Sequence, residues 1–177
     1  MTLLEFVTDS EIYQNVILDK VPKSSVFLWI ATADLKDLYV KKGRKMVPFL
    51  EILATLVNKG VSIRLLHAKE PGEAFQKDFD KYPELLDGME RVCCPRVHFK
   101  SVIIDNQFAY SGSANLTGAG MGAKSKKRRN FESDFITTDP SLVEKIMDQF
   151  DTIWIGTHCP DCDRKKYCTE HELLIDG

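Results

Sequence analysis

Residues 97–115 read VHFKSVIIDNQFAYSGSAN, and this stretch decides how the middle of the chain folds. It contains two apolar runs separated by Asp105-Asn106, a dipeptide that favours a tight turn. The pattern predicts strands at 97–104 and 107–112 that pair as an antiparallel hairpin. The two ends away from the turn then lie side by side, and both carry polar residues.

The polar residues at the open end of this hairpin form a set suited to phosphate chemistry. His98 and Lys100 are two residues apart on one strand, so their side chains project to the same face. Gly112, Ser113 and Asn115 provide a close backbone approach, a hydroxyl and an amide. A neutral imidazole is nucleophilic near neutral pH, while a lysine and hydrogen-bond donors can hold the oxygens of a phosphodiester. Each residue alone would fit an ordinary half-buried strand, but the combination predicts a catalytic site.

A histidine that attacks through one ring nitrogen needs the other nitrogen held, usually by a carboxylate, and Asp105 and Glu132 are the candidates. The spacing H-x-K-x4-D-x6-G-S-x-N over residues 98–115 resembles the HKD motif of the phospholipase D superfamily. The resemblance implies that Glu132 orients His98, that Asp105 is a support residue, and that the reaction passes through a phosphohistidine. It also implies an α/β fold in which helices sandwich a mixed sheet.

The chain carries this motif once. Its histidines are His67, His98, His158 and His171, and only His98 stands in the pattern. Superfamily members generally combine two HKD motifs in one active site, where one histidine attacks and the other protonates the leaving group. The resemblance therefore implies a two-fold homodimer in which the two copies of His98 meet at the axis. The alternative is a monomer in which His67 or water acts as the acid.

Composition and charge narrow the class of protein. A chain of 177 residues, 44% of them hydrophobic, can form one substantial domain. We expect a catalytic domain at 1–155 and a Cys-rich tail at 156–177. The formal net charge of −2 gives no general attraction to nucleic acid or anionic membranes, so such contacts need a local patch. No apolar run would span a bilayer and no basic secretory leader is found, so we expect a soluble cytoplasmic protein.

The rest of the chain alternates between helical and strand patterns. The predicted elements are a helix at 9–20, a buried strand at 25–33, a loop or short helix at 34–44, a helix at 45–58 and a strand at 61–67. The order strand, helix, strand indicates a parallel crossover unit. Further on we expect a loop and surface helix from 69 to 90, a strand at 131–137 carrying Glu132, and a helix at 140–150.

A glycine-rich segment at 118–129 ends in a run of cations and lies between Asn115 and Glu132. The cations are Lys124, Lys126, Lys127, Arg128 and Arg129. A run of this kind is often only a solvated surface. Its position between two site residues favours contacts with the phosphates of a polyanionic substrate, with strong salt dependence.

The cysteines near the C-terminus have a spacing typical of metal ligands. Cys159, Cys162, Cys168 and His171 offer three thiolates and an imidazole, a set that binds Zn²⁺ tetrahedrally and can fold a short tail. His158 competes as a nitrogen ligand, and Cys93 or Cys94 could complete or replace the set. A disulfide pair and an iron–sulfur cluster are the rival interpretations. The resemblance implies that catalysis needs no metal, so zinc would be structural.

Three functions fit these observations. The first is a phosphodiesterase acting on nucleic acid, DNA or RNA, which the small size, single motif and basic run favour. The second is a phospholipid hydrolase or transphosphatidylase, which lacks support from an amphipathic interfacial helix. The third is a non-catalytic nucleic-acid-binding module, which would not require a nucleophile at His98.

Overall fold

The computed structural model describes residues 2–36 and 38–169. The strands are β1 (Leu4–Thr8), β2 (Phe27–Thr32), β3 (Tyr39–Lys42), β4 (Lys45–Pro48), β5 (Ser62–His67), β6 (Met89–Cys93), β7 (Lys100–Ile104), β8 (Phe108–Gly112) and β9 (Ser133–Thr137). The helices are α1 (Ser10–Ile12), continued by a π-helix (Tyr13–Lys20) and a 3₁₀ turn (Val21–Lys23), then α2 (Phe49–Asn58), α3 (Glu73–Phe79), α4 (Glu84–Gly88), α5 (Pro140–Trp154) and a 3₁₀ turn (Lys165–Tyr167).

A seven-stranded mixed sheet forms the centre of the molecule, in the order β1-β9-β8-β7-β2-β5-β6. Strands β2, β5 and β6 are parallel, and α2 makes the crossover between the first two. Strands β7, β8, β9 and β1 pair antiparallel. The predicted mixed α/β sheet flanked by helices is therefore confirmed.

The two faces of the sheet are buried by different helices. Leu28 and Ile30 of β2 point to the larger core, which the N-terminal helical segment and α2 cover. Trp29 points to the other face, where the ring of Phe150 from α5 stacks on it with centroids 5.1 Å apart. Helix α5 begins here because Asp139 caps it, accepting hydrogen bonds from the amides of Ser141 and Leu142. Within residues 2–36 and 38–169, no helix is long and apolar enough to cross a bilayer.

The hairpin of β7 and β8 forms as the sequence predicts. Asp105 and Asn106 have φ of 53° and 54°, the left-handed values that the two central residues of a type I′ turn adopt. The amide of Gln107 donates to the carbonyl of Ile104 at 2.9 Å and closes the turn. Strand β7 begins at Lys100, however, so His98 lies just ahead of the strand rather than in it.

Several predicted elements are wrong in detail. Residues 34–44 contain a strand, β3, and the helix predicted from residue 45 starts only at Phe49, because β3 and β4 form a small hairpin around Gly43. The amide of Phe49 donates to the carbonyl of Leu38 at 2.7 Å, which fixes the start of α2. Strand β1 was not predicted, and the first helical segment runs on through Pro22.

Candidate active site

The candidate site lies at one edge of the central sheet, where β7 and β9 begin and β8 ends. Lys100 pairs with Gly112, and Gly112 pairs with Asp134, so three strand ends form one row. The pairing of β7 with β8 ends at Lys100 and Gly112. His98 precedes the first of these residues by two positions and Ser113 directly follows the second, so both lie at this edge of the sheet.

His98 and Lys100 differ sharply in burial. The imidazole of His98 is exposed, whereas Lys100 is only 5% exposed and donates from Nζ to the backbone carbonyl of His98. Burial lowers the pKa of Lys100, and the nearby charge of Glu132 partly opposes that effect. The lysine is thus a positive charge held against the backbone that carries the imidazole.

Glu132 lies directly before β9 and is held by three neighbours. Its carboxylate accepts hydrogen bonds from Ser113 Oγ and from Asn130 Nδ2, the latter at 2.9 Å. Its backbone amide donates to Asp9 Oδ1 at 3.1 Å. Among the described residues no hydrogen bond joins Glu132 to the ring of His98, so its role as the group that orients the imidazole stays a prediction.

Asn115 is fixed by the end of β2. Its Oδ1 accepts from the amides of Ala33 at 3.2 Å and Asp34 at 3.1 Å, and more weakly from Thr32 Oγ1. Because the amide oxygen accepts these hydrogen bonds, Nδ2 is the group of this side chain that can donate. The side chain therefore offers a donor rather than an acceptor to an anion at this edge.

A buried carboxylate that was not predicted from the sequence holds the loop that starts at Ser113. Asp134 is fully buried, and its Oδ1 accepts from the amide of Ser113 at 2.6 Å and from Tyr110 Oη at 2.8 Å. A Cβ at Gly112 would lie 1.6 Å from that oxygen, so only glycine fits there. Burial raises the pKa of Asp134, and within the described part of the chain Oδ2 has no hydrogen-bond partner. The available signal in the sequence was a carboxylate within a predicted strand, directly before the apolar pair Phe135 and Ile136.

Asp105 lies at the other end of β7, away from His98. Its two oxygens accept from the amides of Ser25, Val26 and Phe27 and from Ser25 Oγ, at 2.8 to 2.9 Å. Burial alone would raise the pKa of Asp105, but these hydrogen bonds outweigh it and hold the pKa below its usual value. The carboxylate ties the hairpin turn to the start of β2, and this placement fits a support residue.

The glycine-rich segment is folded onto the domain, and its cations face solvent. Met121 is buried, and Gly122, with φ of 76°, packs so closely on the backbone of Asp9 that a Cβ would lie 2.2 Å from its carbonyl oxygen. The exposed cations are Lys124, Lys126, Lys127 and Arg128, while Arg129 is half-buried. The segment thus presents a positive surface between Asn115 and Glu132.

The remaining predicted groups lie elsewhere. Cys159, Cys162 and Cys168 line one cavity together with Cys94, whereas His171 lies outside the described residues. His158 lines a neighbouring cavity with three of these cysteines, Cys94, Cys159 and Cys162. His67, the alternative acid, is 2% exposed, and its Nδ1 lies 2.9 Å from the carbonyl oxygen of Lys69.

An exposed imidazole beside a buried ammonium, with hydroxyl and amide donors from an adjoining loop, is an arrangement that can act on a phosphodiester. A family model described as "Cardiolipin synthase, PLD-like domain" matches residues 17–154. The chain belongs to the phospholipase D superfamily. The resemblance inferred from the motif is therefore confirmed.

Individual proteins agree with this membership in the phospholipase D superfamily. The chain is 27% identical over 105 residues to a mitochondrial cardiolipin hydrolase of Chlamydomonas reinhardtii, a match that covers 59% of this chain and 44% of that protein. The chain therefore spans less than half the length of this relative.

Solved structures share the fold at low sequence identity. Nuc from Salmonella typhimurium, a phospholipase D family member, has a TM-score of 0.65 at 15% identity, covering 87% of this chain and 95% of that one. NucT from Helicobacter pylori has a TM-score of 0.66 at 13% identity, covering 88% and 98%. TrmBL2, an archaeal chromatin protein, has a TM-score of 0.56 at 14% identity, covering 85% and 51%.

Proposed function

We propose that this protein is a metal-independent endonuclease that cleaves DNA or RNA through a phosphohistidine at His98 in a homodimeric site. The observation that carries the proposal is the exposed imidazole of His98 beside the buried Lys100, whose ammonium donates to the backbone carbonyl of His98. The cations of residues 124–129 lie between Asn115 and Glu132 in the chain, and four of the five are exposed. The imidazole supplies a nucleophile, and the cations supply a surface for a charged backbone.

The reaction begins when a ring nitrogen of His98 attacks phosphorus in line with the leaving oxygen. The bond to the leaving oxygen breaks, and the partner's His98 protonates that oxygen. Lys100, Ser113 and Asn115 donate to the non-bridging oxygens as charge develops on them. Water then attacks the phosphorus of the phosphohistidine, and the bond from phosphorus to the His98 nitrogen breaks. The partner's His98, which lost its proton in the first step, takes a proton from this water and is protonated again, while the first imidazole is released.

An exposed apolar surface beside the site supports a second copy of the chain as partner. Phe6 of β1 and Phe135 of β9 contact each other with ring centroids 5.2 Å apart and are about half exposed. Leu4 is 62% exposed on the same face, and Phe131, next to Glu132, is 94% exposed. Apolar patches of this kind mark interaction sites in soluble proteins. A two-fold contact here would bring two copies of the site edge near one axis.

The basic segment supports nucleic acid as the substrate. A net negative chain has no general attraction to polyanions, so its local cations must provide it. Four of the five cations of residues 124–129 are exposed, and this segment lies in the chain between the site residues Asn115 and Glu132. The archaeal chromatin protein with this fold is described as binding DNA, which is compatible with the proposal but shows the fold alone.

A phospholipid substrate is the second candidate. It is favoured by the algal relative, which is named a cardiolipin hydrolase. Cardiolipin also presents phosphodiesters, so the same imidazole and ammonium could act on it.

The cytoplasm remains the proposed location, and the lack of disulfides among the described residues is compatible with a reducing compartment.

A substrate panel in excess EDTA tests the proposal. Purified protein is incubated with single-stranded DNA, single-stranded RNA, duplex DNA and cardiolipin vesicles, beside a His98→Ala variant. We expect cleavage of a nucleic acid by wild type alone, and a nucleic-acid fragment linked through phosphorus to wild-type protein after rapid quenching in alkaline denaturant, where the bond from histidine to phosphorus survives. Cardiolipin turnover without nucleic-acid cleavage would favour the lipid function, and activity in the variant would remove His98 from the mechanism.

A further inference from the structure

Four cysteines from two distant parts of the sequence surround one cavity. Cys94 follows β6, and Cys159, Cys162 and Cys168 belong to the segment after α5. The predicted metal set contained the three C-terminal cysteines together with His171, and it left Cys94 as an alternative. Four thiols around one cavity equal the number of ligands that tetrahedral Zn²⁺ takes, so this set does not require His171.

Backbone turns hold these cysteines in place. The amide of Cys94 donates to the carbonyl of His67 at 2.8 Å, and Val97 closes a turn back to Cys94 at 3.0 Å. In the C-terminal segment the amide of Cys162 donates to the carbonyl of Cys159 at 3.2 Å. The amide of Arg164 lies 3.4 Å from Cys162 Sγ, a hydrogen bond that stabilises a thiolate.

The charges around the cavity suit a site with four thiolates. Arg96, Arg164 and Lys165 line the cavity together with the cysteines. A Zn²⁺ ion held by four thiolates keeps a net negative charge, and these basic side chains offset it.

We propose that Cys94, Cys159, Cys162 and Cys168 bind one structural Zn²⁺. This site is independent of the proposed nuclease function. It pins the segment after α5 to the turn that starts at Cys94, four residues before His98. The ion thereby fixes the approach of the chain to the catalytic edge, and it stabilises a segment that has little core of its own.

A second group of side chains could also bind a metal ion and is the alternative to the four-cysteine site. His67, Glu70 and Cys93 have ligand atoms that all lie within 4.8 Å of one another. The thiols around the cavity would have to rotate inward to reach comparable spacing. The rival set offers one thiolate, an exposed carboxylate and an imidazole whose Nδ1 already lies against a carbonyl. Zinc prefers the four-thiolate set on ligand chemistry.

Metal analysis of single-cysteine variants tests the ligand set. Full-length protein is purified without added metal, and zinc per chain is measured by inductively coupled plasma mass spectrometry. We expect one zinc per wild-type chain, loss of most of it in Cys94→Ser and Cys162→Ser, and full retention in Cys93→Ser and His171→Ala. Cobalt-substituted protein gives a second readout, because its charge-transfer band grows with the number of thiolate ligands.

The outcomes separate the competing assignments. Full zinc in Cys94→Ser with loss in His171→Ala would restore the ligand set predicted from sequence, and loss in Cys93→Ser alone would place the ion at the His67 group. Wild-type protein free of zinc, whether its thiols are disulfide-bonded, alkylatable or bound to iron, would overturn the site. Because zinc is counted directly, these outcomes do not depend on whether the protein cleaves nucleic acid.

Discussion

The two ends of β7 differ in how the fold uses the motif residues beside them. Before Lys100 the strand is preceded by His98, whose imidazole is exposed. After Ile104 it is followed by Asp105, whose carboxylate accepts four hydrogen bonds from residues 25–27. The imidazole of His98 is therefore accessible to a substrate, whereas the carboxylate of Asp105 stabilises the fold. A shared sequence motif therefore does not imply a shared role for its residues.

The largest expected effect separates these two ends by activity. His98→Gln should lower phosphodiesterase kcat by at least about 10³-fold, because the nucleophile is lost. Its thermal midpoint should stay near that of wild type, since the imidazole is exposed. The measurement is single-turnover cleavage beside a thermal melt, with Asp105→Asn as the control that should keep kcat. Equal losses of kcat in both variants would erase the distinction.

Activity at the His98 end of β7 should also depend on a second copy of the chain. Phe6→Asp with Phe135→Asp places charges on the apolar surface of β1 and β9, and we expect a monomer with little activity. Leu86→Asp is the matched control, because Leu86 is 68% exposed on α4 and lies off that surface. Light scattering gives the mass and the cleavage assay gives the activity. Wild-type protein that is monomeric and fully active would contradict the dimeric site.

The structural end should respond in stability. Asp105→Ala removes the acceptor of four hydrogen bonds and puts alanine at φ of 53°, so we expect a loss of about 2–4 kcal/mol in the free energy of unfolding. Asp105→Gly relieves the backbone cost and should lose less. Urea unfolding measures both, and cleavage per folded molecule should hardly change.

The pH dependence of the Asp105 contribution has a defined sign. The folded pKa lies below the unfolded value of 3.8, so the stabilisation is present above pH 3.8 and is lost as pH falls through the folded pKa. In Asp105→Ala this acid loss should be absent. A wild-type and variant pair with parallel stability curves below pH 4 would rule out this linkage.

A smaller effect, with the opposite dependence of stability on pH, is expected at Asp134, which supports the loop that starts at Ser113. Burial raises its folded pKa, so its favourable contribution is full below pH 3.8 and is lost as pH rises through the folded pKa. Asp134→Asn keeps an acceptor for Ser113 and Tyr110 without a buried charge. We expect it to match or exceed wild-type stability at pH 7 by up to about 1 kcal/mol, and to lose that advantage in acid. Asp134→Leu, which leaves the Ser113 amide unpaired, should be destabilised.

Sequence predicted what depends on neighbours in the chain. The crossover from β2 to β5 follows from apolar periodicity, and the turn at Asp105-Asn106 follows from local chemistry. The role of Asp134 was not predicted because it depends on hydrogen bonds from Ser113 and Tyr110, and only the pairing of the strands brings these residues to its carboxylate. Cys94 stayed ambiguous for the same reason, since the segment after α5 folds back onto it from more than sixty residues away.

The smallest expected effect concerns the cations of residues 124–129, which lie between Asn115 and Glu132 in the chain. Lys126→Ala with Lys127→Ala should leave kcat unchanged, raise KM for nucleic acid several-fold, and lower the slope of log affinity against log salt by about 1–2. The matched control is Lys77→Ala with Lys145→Ala, two exposed lysines on α3 and α5. Because both double variants change the net charge equally, a difference between them isolates position from charge. An identical salt slope in both would mean that the segment at 124–129 is only a solvated surface, and that substrate selection resides in the catalytic edge itself.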